Sequence, residues 1–275
     1  MFNLATLQAA LADTLYAGKL HFFSVTGSTN TDALEAARAA APHGSVFFAD
    51  EQIAGRGRGA HAWHSAAGEG LYVSVLLRPS IPAVRLPFLA LAAGLAASSA
   101  IARTAALAVD IRWPNDLLIG QRKTGGILVE GKIESDEVAF AVVGIGINVH
   151  HRVFPTELST PATSLDQASG QIVSRQSLLI ALLQSLAEET LALQSPSAAE
   201  AIPQRLQQAS SWIRGRRVQV HGPQACTGMT AGLDENGFLR VQTAAGLVTV
   251  QTGGLRAAET GPQESGPLLP PGVIS

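Results

Sequence analysis

Between residues 109 and 149 three apolar runs follow one another, "VDIRWPNDLLI", "TGGILVEGKI" and "VAFAVVGIGINV", with turn-forming residues at "PND", "GQRK" and "ESDE". Short apolar runs punctuated in this way pair as antiparallel neighbours. The pattern commits the middle of the chain to a meander, and the other elements must cover it. Further strands are expected at "KLHFFSV", "SVFFADEQ" and "LYVSVLLRP", and helices at "TDALEAARAA", "LPFLALAAGLAASSAIA" and "RQSLLIALLQSLAEETLALQ". The last carries leucines at helical spacing. At the start, Leu4, Leu7, Leu11 and Leu15 mark one face of a short helix that Gly18 would end. Residues 150 to 175 read as an irregular crossing. Strands and helices mix without regular βαβ alternation, which predicts an α+β fold: a mixed, largely antiparallel sheet with a helix layer.

From about residue 213 the texture changes to short strands split by "HGPQ", "DENG", "TAAG" and "TGG". Such spacing predicts a small β-barrel. The expected division is therefore 1–210 for the main domain, 211–258 for the barrel, and a mobile tail over 259–275, which is rich in proline and glycine.

With 275 residues, 47% of them apolar and 15% charged, the chain can bury a sizeable core. A formal net charge of −2 gives no global field for nucleic acid or an anionic membrane, so anion binding must be local. Cys226 is the single cysteine, which excludes an intrachain disulfide and makes a reducing cytoplasm the expected setting. The first residues lack the basic head and apolar core of a signal peptide. The apolar stretch at 86–102 is diluted by alanine and serine and falls short of the ~20 strongly apolar residues of a membrane span, so a buried helix is expected.

Against that balance the segment "GRGRGAHAW" at 55–63 stands out, with two arginines among three glycines between two strands. It reads either as a flexible surface loop, as an electrostatic contact for RNA, or as an anion-binding loop, since glycine amides and guanidinium forks suit phosphate and carboxylate. It is not a Walker A loop, because no glycine-lysine-serine/threonine follows. "WPND" at 113–116 and "KTGG" at 123–126 read as hairpin construction, but Lys123 beside two glycines could also meet a ligand's negative charge. Ser28, Thr29 and Asn30 open a helix, where capping and ligand binding are compatible. Gln52 could point its amide into the same space. "GIGIN" at 144–148 has two glycines of a dinucleotide fingerprint and no convincing helix after it. His61 and His64 lie three apart without a third ligand candidate nearby, so no metal site is expected.

Taken in order, "STN", "Q..GRGR....W", "WPND", "K..GIL.E" and "G.GIN", spread over residues 28–148, resemble biotin protein ligases. The resemblance implies a two-step reaction: biotin and ATP give biotinyl-5′-AMP and pyrophosphate, and the biotinyl group then passes to a lysine of a biotin carboxyl carrier protein. It also implies an α+β catalytic domain followed by an SH3-like barrel, with Mg²⁺ arriving on the phosphates. Ser28, Thr29, Asn30 and Gln52 would address the ureido ring, Gly126 would offer backbone contacts and Trp63 an apolar wall. Gly55, Arg56, Gly57 and Arg58 would form the loop over the biotin carboxylate and the phosphates. Lys123 would bind the carboxylate and α-phosphate region, Asn115 and Asn148 the nucleotide, and Asp116 would orient the centre or the incoming amine. Lys123, Arg58 and Asp116 are the expected catalytic group.

The chain departs from the family pattern at Gly59, Ala60 and His61, at Arg112 where lysine is common, and at Gly125 where a larger residue is usual. Only 27 residues precede "STN", so no DNA-binding domain is expected; no membrane association is expected from the charge balance and the diluted apolar stretch, and the family allows a homodimer. A lipoate or octanoate ligase, or a non-catalytic biotin- or nucleotide-binding regulator, would share parts of this pattern.

Overall fold

The computed structural model describes residues 2–59 and 61–258; Ala60 and the expected tail at 259–275 lie outside those residues. A seven-stranded sheet runs in the order β1-β2-β3-β7-β6-β5-β4. Its strands are β1 (Leu20–Thr26), β2 (Ser45–Gln52), β3 (Gly70–Leu77), β4 (Asp110–Arg112), β5 (Asp116–Ile119), β6 (Arg122–Glu134) and β7 (Glu137–Asn148). The meander is present as β4-β5-β6-β7, antiparallel throughout, with "PND" dividing the first apolar run into two strands. Among the described residues β1 with β2 is the one parallel pair of this sheet. Helix α2 (Thr29–Arg38) makes the crossover between them, a single βαβ unit inside an otherwise antiparallel sheet.

Strand alternation sends side chains to two different faces. Val73, Val75, Val143, Ile145 and Ile127 point into the main core with α3 (Leu86–Ala105) and α5 (Arg175–Ala192). The apolar stretch expected to form a buried helix is α3, and its apolar residues are spent on that core: Leu89, Ala92, Ala93, Ala96, Ala97 and Ile101 are fully buried. Each leucine so buried contributes about 1.5–3 kcal/mol against leaving it in water. On the opposite face α2 covers only a small cluster containing Ala33, Ala37, Phe47, Leu76, Phe140 and Val142. The rest of that face, where Tyr72, Ser74, Gly144 and Gly146 project, is left for the loops.

At the start, α1 (Leu4–Ala10) buries Leu7 and leaves Leu4 exposed, Leu11 is buried just beyond it, and Gly18 takes a left-handed φ of 69°. The crossing at 150–175 holds one short helix, α4 (Leu165–Ser169). Helix α6 (Pro196–Gln208) was not expected. Pro203 inside it argues against a helix by propensity, yet Ile202 and Leu206, four apart, are buried and anchor it to the core. After it come β8 (Arg214–His221), β9 (Cys226–Leu233), β10 (Leu239–Thr243), β11 (Gly246–Val250) and β12 (Gly254–Ala257). They form a second sheet in the order β11-β10-β9-β8-β12. The expected small β unit is there, but its ladder ends on β11 and β12, with no closing pair between them among the described residues.

Candidate active site

A cavity of about 690 Å³ opens on the half of the large sheet that α2 leaves bare. Its floor is backbone, because glycine occurs where a side chain would fill it. A Cβ on Gly146 would stand 2.5 Å from the Trp63 indole, and one on Gly126 3.2 Å from the same ring. A Cβ on Gly144 would run into the Asn30 carboxamide. The glycines of "GIGIN" are therefore a platform for Trp63 and Asn30, which replaces the dinucleotide reading with a packing reason. The Trp63 Nε1 is buried and has no hydrogen-bond partner.

One end of the cavity is a polar network. Thr29 donates its backbone N–H to Gln52 Oε1 at 2.9 Å, so the first turn of α2 is met by a side chain from β2. Ser28 is the N-cap by position but makes no side-chain cap bond. Ser74 Oγ lies 2.8 Å from Thr29 Oγ1 and donates to Asn30 Oδ1 at 2.6 Å. Gln52 Nε2 donates to Ser65 Oγ at 2.8 Å, and Asn30 Nδ2 donates to Glu130 Oε2 at 2.9 Å. Buried groups so linked hold one geometry, since leaving any of them unpaired costs about 1–3 kcal/mol. Ser74 and Glu130 were not singled out in the sequence. The signal was available for Ser74, a lone serine in a strand buried over its whole length; Glu130 lay inside a quoted motif without a role.

The other end carries charge. Lys123 Nζ lies 2.5 Å from Asp116 Oδ1, and Arg112 donates from Nη2 and Nε to Asp116 Oδ2 at 2.6 and 3.1 Å. Burial alone would raise the Asp116 pKa, but the Lys123 and Arg112 charges and their hydrogen bonds outweigh it and hold the carboxyl below its ordinary range. The Lys123 ammonium also lies over the Trp63 ring, 5.4 Å from its centroid. Asn115 Nδ2 donates to the Ile127 carbonyl at 2.8 Å, and Asn148 Nδ2 to the Thr163 carbonyl at 3.1 Å. Both asparagines thus brace the backbone on which they line the cavity.

The glycine-arginine loop closes over the space between. Arg56 and Ala62 bridge as a narrow antiparallel pair. Gly55 is obligatory there, because its Cβ would meet Ser65 Oγ at 2.7 Å. The two arginines diverge. Arg56 pairs with Glu130 at the polar end. Arg58 donates to Asn115 Oδ1 at 3.3 Å, to the Gly253 carbonyl at 2.9 Å and to Thr252 Oγ1 at 3.1 Å, and so ties the loop to the second sheet. Burial disfavours the charged form of Arg58, with Asp116 opposing that shift. His61 and His64 both line the cavity. No group of three histidine, cysteine, aspartate or glutamate residues among the described residues is placed to hold a metal ion.

Every residue expected at the site by motif lines this cavity, apart from Gly55, which packs against Trp63, Ser65 and Gln52 at the base of the loop. The family model for the Biotin/lipoate A/B protein ligase family matches residues 22–148, which contain all of those residues. The chain is 44% identical over 162 residues to the bifunctional ligase/repressor BirA of Bacillus subtilis, covering 58% of this chain and 50% of that protein. It thus spans about half the length of that relative. It is 33% identical over 244 residues to the biotin–[acetyl-CoA-carboxylase] ligase of Mycobacterium tuberculosis, covering 86% of this chain and 87% of that one. The fold superposes on the biotin protein ligase of Aquifex aeolicus in complex with biotin and ATP with a TM-score of 0.75 at 28% identity, covering 88% of this chain and 100% of the other. With its cavity, its motifs and its relatives in agreement, the chain belongs to the biotin/lipoate A/B protein ligase family, among the biotin protein ligases.

Proposed function

We propose that this protein activates biotin with ATP to biotinyl-5′-AMP, and then transfers the biotinyl group to a specific lysine of a biotin carboxyl carrier protein. The observation that carries the reading is Arg58: a half-buried cation whose hydrogen-bond partners are a carboxamide, a hydroxyl and a carbonyl, all neutral. A desolvated cation whose hydrogen bonds all go to neutral groups, with Asp116 acting on it through charge but not in an ion pair, is suited to receive an anion.

The chemistry requires that charge. Bringing a carboxylate to within ~4 Å of a phosphate opposes the approach by about 4 kcal/mol per unit pair at an effective dielectric of ~20. Lys123 and Arg58 offset this repulsion and stabilise the charge that develops as the biotin carboxylate attacks the α-phosphate and pyrophosphate leaves. The uncharged network of Ser28, Thr29, Asn30 and Gln52 receives the ureido ring, with Trp63 as an apolar wall and Gly126 as a bare stretch of strand against the ligand. Arg56 exchanges Glu130 for the ligand as the loop seats, and Asn115 and Asn148 face the nucleotide. Asp116 holds Lys123 in the first step and orients the incoming lysine amine in the second. Both Asp116 oxygens are already engaged by Lys123 and Arg112, so the donor set suits Mg²⁺ carried on the ATP phosphates, which supplies further neutralisation when bound. The glycine loop excludes water from the anhydride until the carrier arrives.

The proposal includes a catalytic unit at 1–210 and a second unit at 211–258, action in the cytoplasm, and no DNA as a partner. The deciding measurement is pyrophosphate release with Mg²⁺-ATP and biotin, lipoate or octanoate in turn. Release with biotin alone is expected. Release only with lipoate or octanoate would overturn the substrate, and release with none would leave a binding protein.

A further inference from the structure

Between the two sheets the chain runs through residues 209–213, and this connector is fastened to the strand that leads into "WPND". Ser210 Oγ donates to the Ile111 carbonyl at 2.5 Å, while Ser211 donates its N–H and its hydroxyl to the Asp110 carboxylate at 2.8 and 2.6 Å. Next to them Trp212 is 2% exposed, with no partner for its Nε1, so the residue is used for its ring face. Two guanidiniums lie over the ring: Arg216 of β8 at 3.7 Å from the centroid and Arg112 of β4 at 5.3 Å. Arg216 is steadied from outside by Ser211 Oγ at 3.1 Å and Gln121 Oε1 at 3.2 Å. Arg112 is 7% exposed, and Thr160 Oγ1 from the crossing accepts from its Nη2 at 3.0 Å.

We propose that Trp212 and Arg112 are positioning residues for the activation step, through which docking of the second sheet sets the Asp116–Lys123 pair. The connected contacts run in one direction. The indole fixes the plane of the Arg112 guanidinium, and that plane aims two N–H groups at Asp116 Oδ2. With Oδ2 so engaged, Oδ1 is the oxygen left to hold Lys123, and Lys123 is thereby set over Trp63 at the cavity floor. A lysine at position 112 would offer a single point charge, with no plane for an indole to orient. The same fork keeps Asp116 ionised, together with the Lys123 charge; Arg58 is the other cation facing it. Misplacement of a catalytic group by about 1 Å costs up to about a hundredfold in rate.

This inference rests on the ligase reading, and its test separates the two. Biotin-dependent ATP–pyrophosphate exchange is followed against pH for the full chain and for Arg112→Met, Arg112→Lys, Trp212→Leu and Trp212→Phe, with active sites titrated by single-turnover adenylate formation. The expected result for Arg112→Met and Trp212→Leu is a kcat per active site lower by about tenfold or more, with the KM for biotin within about twofold. The acid limb of kcat moves to higher pH in Arg112→Met, where Asp116 loses a cation. Trp212→Phe, which keeps a ring face, recovers most of the rate, and Arg112→Lys recovers the acid limb but not the rate. Trp212 also fills core volume, so Arg112→Met, which leaves the indole in place, is the deciding variant. Unchanged kcat and acid limb in Arg112→Met would overturn the proposal; loss there with Trp212→Leu equal to wild type would overturn the role of the indole. No biotin-dependent exchange by the unaltered chain would overturn the ligase reading instead.

Discussion

At the scale of single residues, the site depends as much on missing side chains as on present ones. Gly146 exists so that Trp63 can lie on bare strand, and a methyl group there would begin 2.5 Å from the indole. Gly146→Ala must therefore push Trp63 into the ligand space, at an overpacking cost of about 1–3 kcal/mol. Biotin affinity by isothermal calorimetry should fall about tenfold or more while the fold survives; wild-type affinity would mean that Trp63 is not a wall of the pocket. Lys123 tests the opposite case, a side chain that is present for its charge. In Lys123→Ala the Asp116 carboxylate keeps Arg112, so the local structure has a partner left, while the activating cation near the carboxylate is gone. Adenylate formation should drop by at least about a hundredfold with the melting temperature nearly unchanged. Normal adenylate synthesis by that variant would remove the assigned role.

At the scale of elements, the meander was legible because "PND", "GQRK" and "ESDE" break the apolar runs where β4, β5, β6 and β7 turn. The βαβ unit was not, because β1 and β2 read alike whether paired parallel or antiparallel; the direction is decided by the crossover through α2. Helix α6 was hidden by Pro203, and its formation follows from tertiary burial of Ile202 and Leu206 rather than from propensity. The motif residues of the cavity could be read from the chain, since glycine, arginine and lysine are costly to place together without a use. Most of their second layer could not: Ser65 and Trp212 gain meaning only from residues 13 and about 100 positions away that folding brings to them, and Ser74, marked by its apolar neighbours, gets its partner Asn30 from 44 positions away. The glycine loop is where both kinds of information meet. Its sequence announces flexibility, but Arg58 ties it to Thr252 and Gly253 in the turn between β11 and β12. Arg58→Gly should untie that end and let the adenylate escape. Mass spectrometry should then find bystander lysines acylated when the variant is mixed with biotin, Mg²⁺-ATP and an unrelated protein; strict carrier specificity in the variant would count against the closing loop.

At the scale of the whole molecule, the cavity lies where five separate pieces meet: the large sheet, the start of α2, the glycine loop, the crossing after β7 and the second sheet. The crossing is held by His151, whose carbonyl accepts from Ser164 Oγ at 2.7 Å, whose ring stacks on Phe154 at 5.5 Å, and whose Nε2 lies 3.5 Å from the Tyr72 hydroxyl. Burial, reinforced by the neighbouring His64 and His150, lowers its pKa from the ordinary 6.5 to about 4, with the Glu69 backbone opposing. The sign of the consequence follows from which state takes up the proton. As pH falls below about 6.5 the unfolded chain protonates this imidazole and the folded chain does not, until about pH 4. Stability from the neutral ring is thus complete above about pH 6.5, is lost progressively down to about pH 4, and changes no further below it through this group. Asp116 acts in the same direction but at lower pH, because its carboxyl is held below its ordinary 3.8. His43, lowered by burial and by Lys19 and Arg78, acts in the same direction, its loss beginning as pH falls below the ordinary 6.5. His151→Phe keeps an aromatic ring for Phe154 and removes the proton site, so its melting temperature should fall less steeply than that of the wild type between those two limits. Parallel curves for the two proteins, measured by calorimetry in the same buffers, would show that the acid sensitivity of the crossing comes from a group other than His151.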